Sequence, residues 1–150
     1  MKTYLLVLGL LLALVGCSDE SKVKDASIEG AKERYQTQLR EEIGKAVTGK
    51  ANLQKIAVKT LVDKSDVEIQ RQEITGEEAH VVAALKTVPT KEREALIDIM
   101  AKLDEKKEAT FNVSNALNLI HQQVQAEGFE LIVYKMKLQK QDGTWKVTSP

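Results

Sequence analysis

Three kinds of side chain in this sequence could do chemistry: one thiol, two imidazoles and a pair of large aromatics. The thiol is Cys17, the single cysteine of the chain. A nucleophilic thiol needs a base and an electropositive setting, and Cys17 is followed by Ser18, Asp19 and Glu20. The imidazoles are His80 and His121. His80 stands two residues from Glu78, the spacing that puts both on one face of a strand. Such a pair can act as a general base; on an outward face it is a solvated cross-turn pair. His121 follows Ile120 at the edge of a Leu117, Ile120, Val124 stripe, and reads as a half-buried polar flank. Tyr134 and Trp145 each join an apolar body to a polar handle, and either line a ligand cavity or fill sheet core. A zinc site needs three or four ligands, so no metal is expected. The adjacent acids Glu41-Glu42 and Glu77-Glu78 diverge in space and make no acid/base dyad. No nucleophile elbow, metalloprotease helix, phosphate loop or dinucleotide fingerprint is present. No cofactor and no catalytic residue is therefore expected, and the chain reads as a non-enzyme.

The setting of Cys17 is more telling than its reactivity. Lys2 precedes an uncharged run, YLLVLGLLLALVG, over residues 4–16. A membrane-spanning helix needs roughly 20 apolar residues. This run is shorter and suits the roughly 7–15 residues of a signal-peptide core. It closes on Leu14-Val15-Gly16-Cys17, which resembles the lipobox of bacterial lipoproteins, L-[AVS]-[GA]-C. The resemblance implies cleavage between Gly16 and Cys17, a diacylglyceryl group on the thiol and acylation, with palmitate expected, of the new amino terminus. In that family an aspartate directly after the cysteine favours retention in the inner membrane. Ser18 stands there, so the resemblance implies, for a Gram-negative host, the outer membrane facing the periplasm.

Cleavage would remove 16 of 150 residues and one lysine, leaving 134 residues with 21 basic against 22 acidic side chains. That length suits one domain. The near-neutral balance speaks against nucleic acid, whose binding needs clustered Lys and Arg. With Cys17 lipidated no thiol remains for a disulfide.

Residues 17–24 read as a lipidated tether, and 25–150 as a single α+β domain. Ile28, Ala31, Tyr35, Leu39, Ile43, Ala46 and Val47 recur at steps of mostly three and four, which predicts a helix over 23–48. Gly49 suits its end. Leu53, Ile56, Ala57, Leu61 and Val62 predict a second helix beginning near Gly49 or Asn52. DVEIQRQEI and AHVVAALKTV, joined by TGEE, predict a hairpin. Pro89 ends it, and Thr90 is a suitable cap for the next helix, whose face is Leu96, Ile97, Ile99, Met100 and Leu103. DEKKE, 104–108, reads as a solvated helix end or turn. Ser114 is expected to open a further helix ended by Gly128. The closing FELIVYKMKLQKQDGTWKVTSP carries a second hairpin with its tight turn at Asp142-Gly143. The sum is an antiparallel sheet of about four strands in two hairpins, packed against N-terminal and inserted helices. Its open face is expected to be fairly polar.

The two hairpins together resemble the cystatin-like sheet of the nuclear transport factor 2-like superfamily. The matching residues are Ala79, Val81 and Ala83, then Asp142, Gly143, Trp145, Lys146 and Val147. The resemblance implies a sheet curled around a helix into a cone, in which some members bind small molecules or catalyse. Residues 90–127 depart from it by placing two helical segments between the hairpins. Two readings of function follow. The favoured one is an envelope lipoprotein whose domain is a non-catalytic binding module for another envelope protein. The alternative is a small-ligand-binding or weakly catalytic domain with a cavity near Tyr134 and Trp145. His80 joins these two as a possible contact residue.

Overall fold

A ladder of small and apolar residues at steps of four (Val23, Ser27, Ala31, Tyr35, Leu39, Ile43 and Val47) is almost wholly removed from solvent, none more than 2% exposed. That spacing keeps one helical face on the core through many turns. It lies along the helix α1, Lys2–Ala46, and the residue just past its end. The computed structural model describes the backbone of residues 2–124 and 128–149, and side chains over 19–124 and 128–148. Cys17 and the cleavage position at Gly16 lie outside the described side chains.

The remaining elements follow in the order α2 (Ala51–Asp63), β1 (Asp66–Thr75), β2 (Glu78–Thr87), α3 (Thr90–Ala101), α4 (Glu105–Glu108), α5 (Val113–Val124), β3 (Glu130–Gln141) and β4 (Thr144–Ser149). The four strands form one sheet in the order β1-β2-β3-β4. The architecture is the α+β arrangement expected: an antiparallel four-stranded sheet with helices before it and between its hairpins. In the second hairpin Leu138 pairs with Val147 and Lys140 with Trp145. Asp142 and Gly143 both take positive φ, 51° and 76°, the left-handed pair that a two-residue hairpin turn requires.

Two compact units can be distinguished. The first comprises Met1–Gly30, Ile69–Ala83 and Val133–Pro150. Its core holds Val23, Ala79, Val81, Met136, Leu138 and Trp145. Gly30 is what lets helix and sheet approach: a Cβ there would lie 2.7 Å from Val147 Cγ2 and 3.6 Å from Met136 Sδ. The residues expected to form a tether, 17–24, instead lie within α1, and Val23 is fully buried. Three polar contacts hold them. Lys140 Nζ donates to both carboxylate oxygens of Asp19 at 3.1 and 3.0 Å. The Trp145 indole N–H donates to Asp19 at 3.4 Å. The Gln72 amide donates to the Glu20 carbonyl at 3.1 Å. The hydrogen bond from Lys140, aided by that from Trp145, holds the Asp19 carboxyl below the usual carboxylate value.

The second unit comprises Ala31–Glu68 and Ala84–Ile132. Here α3 and α2 both pack on α5, burying Leu96, Ile97, Met100, Leu53, Ala57, Leu61, Leu117 and Ile120. Four stripe positions differ from expectation: Ile56, Ile99 and Val124 are 52%, 39% and 38% exposed, and Ala46 at the end of α1 is exposed as well. The buried line of α2 runs through Leu53, Ala57 and Leu61, and Ile56 sits about 100° around the helix from Ala57. Asn112, rather than Ser114, caps α5, its side-chain oxygen accepting from the Asn115 N–H at 2.9 Å. Thr90 is the first residue of α3 and does not cap it. Glu130 does so from β3, accepting from the Thr90 N–H at 2.7 Å and from its hydroxyl. At the other end Lys50 Nζ donates to the Met100 and Ala101 carbonyls at 2.8 and 2.9 Å. A carboxylate at the N-terminus and an ammonium at the C-terminus both suit the helix dipole.

The Thr90 hydroxyl and amide, with Arg93 nearby, hold the Glu130 carboxyl below its ordinary value of 4.5. A depressed carboxylate stabilises the fold above that ordinary value, and the stabilisation is lost as pH falls through the lower folded-state one. Glu130→Gln is therefore expected to cost about 0.3–1 kcal/mol at pH 7, a difference that shrinks as pH falls below the ordinary carboxylate value. Urea unfolding of both proteins across that range measures it. A gap that persists in acid would show that the charge is not what matters.

Candidate functional site

Glu92 is a carboxylate on the buried stripe of α3, four residues before Leu96 and eight before Met100. It is only 4% exposed. An ionised carboxylate is not buried without a partner. Its partner comes from α5, where His121 lies four residues after Leu117 at the edge of that helix's own stripe. The distance from His121 Nδ1 to Glu92 Oε1 is 2.7 Å. The packing of α3 on α5 thus creates the pair. Placement in the first turn of α3, where backbone N–H groups point outward, favours the Glu92 charge.

Burial across the pair is lopsided. The Glu92 side chain is 5% exposed and the His121 ring 56%. The carboxylate therefore acts from within and the imidazole faces a cavity. With Nδ1 turned to Glu92, the ring meets any ligand through Nε2, the arrangement in which a buried carboxylate fixes tautomer and orientation.

That cavity, in the second unit, has a volume of about 370 Å³. Leu117 and Phe129 give it apolar wall, while Asn118, Lys64, Lys86 and Asp66 bring polar groups. Lys86 Nζ stands 5.4 Å from the centre of the Phe129 ring and 3.3 Å from the Glu68 carboxylate. Thr87, itself buried, also lines it and donates its hydroxyl hydrogen bond to the Tyr35 phenol. Burial pushes that phenol above its ordinary pKa.

The residues singled out in the sequence fall elsewhere. His80 is exposed and lines a groove of about 340 Å³ in the first unit with Arg71, Glu73, Lys135 and Lys137. The Glu78 carboxylate beside it pairs with Lys137 at 3.0 Å. Tyr134 and Trp145 are buried, 8% and 4% exposed, and line neither cavity. Trp145 spends its N–H on Asp19 and its ring face on Lys140, 5.9 Å from the ring centre. A further groove of about 680 Å³ between α1 and α2 is lined by Arg40, Gln54, Lys55 and Val58, with no buried charge. Among the described residues no group of three or more His, Cys, Asp or Glu is placed to hold a metal ion, and no helix is long and apolar enough to cross a membrane.

Sequence reasoning missed Glu92 altogether and left His121 a polar flank. The available signal was a charged residue at a stripe position, since Glu92, Leu96 and Met100 share one helical face.

No protein-family model and no curated protein matches the chain. Among solved structures, one from Bacillus subtilis, titled a "putative lipoprotein (ycdA)", aligns with a TM-score of 0.41 and 14% identity over 80% of this chain. This chain spans 42% of the length of that protein. Function is accordingly argued from this chain's own residues.

Proposed function

We propose that this chain is a cell-envelope lipoprotein. Residues 1–16 act as its signal, Cys17 becomes its acylated first residue, and the α+β domain is displayed from the outer membrane into the periplasm. The observation that carries this reading is Leu14-Val15-Gly16-Cys17 placed directly after an uncharged run of signal length. Several acyl chains on one residue anchor durably where a single chain holds only marginally. In this reading the domain is a non-catalytic binding module of the cystatin-like kind, and another envelope protein is its partner. Leu131 on β3 and Phe129 just before that strand, 52% and 54% exposed, offer apolar contact beside a sheet face expected to be polar.

Cys17→Ser tests the anchor. The variant is expected to remain unprocessed, to incorporate no labelled palmitate and so to yield no mature membrane-anchored species. A Cys17→Ser protein that is still cut and still sediments with membranes would overturn the reading. For the partner, crosslinking in intact cells should join the domain to a specific envelope protein, and an absence of any product across growth conditions would count against it. A second reading, small-ligand binding, is favoured by the Glu92–His121 cavity.

A further inference from the structure

We propose that the groove between α1 and α2 docks an acidic segment of a partner protein, an apolar side chain entering over Val58 while carboxylates meet Arg40 and Lys55. This gives the partner of the binding-module reading its chemistry, and it rests on that reading.

The groove is shaped for a peptide. Gln36 and Arg40 stand one helical step of four apart on α1, and Ala51, Lys55 and Lys59 repeat that step along α2. Residues so spaced form one ridge of a helix, and here the two ridges wall a groove of about 680 Å³. Its floor is Val58, only 4% exposed. Long cationic side chains lay their hydrocarbon stems along such walls and keep the charge at the rim. A peptide can send a side chain down to the floor while its neighbours meet the rims, the way segments dock in grooves between helices. A bilayer's headgroup plane, or a small inorganic anion, would engage the rims alone.

Charge selects an acidic segment. The chain as a whole balances 22 Lys and Arg against 22 Asp and Glu. Residues 31–64, which hold the second unit's part of α1 and all of α2, carry eight Lys and Arg against four Asp and Glu. Of those acids, Glu42 is held by Arg93 of α3 at 3.0 Å and Asp63 by Lys59, and none of the four lines the groove. Arg40 and Lys55 have no ion-pair partner among the described residues. The excess thus sits on permanently charged groups and involves no histidine. Complementary charge steers encounter and fixes register, and a guanidinium can meet a carboxylate with two parallel N–H donors.

The test uses the full-length chain in non-ionic detergent micelles. The probe is a fluorescent peptide with a single leucine set among glutamates, followed by its anisotropy. It is expected to bind with a Kd on the order of 0.1 mM at low salt and to weaken steeply as salt is raised. Arg40→Gln with Lys55→Gln removes two exposed charges and should leave the circular dichroism of the fold unchanged; affinity is expected to fall about tenfold. Lys135→Gln with Lys146→Gln removes the same charge from exposed positions of the first unit and should bind as the parent does. Replacing the leucine by alanine should weaken binding severalfold. Equal losses in the two double variants, or a glutamine version of the peptide binding as well, would overturn the proposal. So would glycerol phosphate displacing the peptide far below the sodium chloride concentration of equal ionic strength, which would mark a phosphate site. A peptide bound in the groove with no envelope protein crosslinked in cells would remove the partner reading and leave the site. A crosslinked partner, together with a peptide indifferent to Arg40→Gln and Lys55→Gln, would remove the site and leave the reading.

Discussion

Replacing Trp145 with alanine is expected to destabilise the protein by about 3–5 kcal/mol, the range for removing a large buried aromatic. The side chain is 4% exposed, so nearly all of its apolar area returns to water or leaves a void. The upper part of the range is favoured because two polar contacts go with it. Asp19 loses the indole N–H, and Lys140 loses the ring it stands over while keeping its ion pair. Trp145→Phe separates these effects. It keeps most of the hydrocarbon and removes one hydrogen bond, worth about 0.5–1.5 kcal/mol before any repacking. Chemical unfolding of both variants measures the difference. A Trp145→Ala protein within about 1 kcal/mol of the parent, well short of the cavity range, would mean that the side chain is not the keystone of the first unit.

His121→Ala should produce the second large effect, with a different signature. It leaves the Glu92 carboxylate buried and without its imidazole. Breaking a fully buried pair costs about 3–5 kcal/mol. The ring is 56% exposed, so water can enter its place, and about 1.5–3 kcal/mol, the value of a hydrogen bond to a charged group, is the better expectation. Adding Glu92→Leu to His121→Ala should restore stability to near the parent, because exchanging a whole buried pair for hydrocarbon is often neutral or stabilising. A double variant no more stable than His121→Ala would show that the cost lay in the packing of the ring and not in the orphaned carboxylate.

Periodicity made most of the fold legible, because each element carries its own repeat. The ladder from Ala31 to Val47, the Ala79–Val81–Ala83–Leu85 alternation and the Asp142-Gly143 turn are local signals, and each element formed where its signal stands. Features fixed by distant residues were less visible. Residues 19–24 are polar enough to read as a tether; what orders them is Lys140 and Trp145, more than a hundred positions away. The cap of α3 comes from Glu130 on β3, and no inspection of Thr90 reveals that. The Glu92–His121 pair depends on which face α3 turns to α5, a tertiary fact to which the sequence contributes only the oddity of an acid on a hydrophobic stripe. His80 and Glu78 share a strand face as their spacing indicates, yet the nearer choice for Glu78 is Lys137.

The ordered start of the domain bears on how an anchored molecule would meet its partner. Among the described side chains the first that packs is Asp19, with Ser18 alone between it and Cys17. Two residues extend at most about 7 Å, and about 3 Å if they stay helical. A lipid on Cys17 would thus be a hinge pin and not a leash: the reach above the bilayer is the molecule's own dimension, and a long flexible linker's wide sweep is denied to it. A freely diffusing partner would have to descend to the headgroup layer. One rooted in the same leaflet would already share that layer, and the search between them would run in two dimensions.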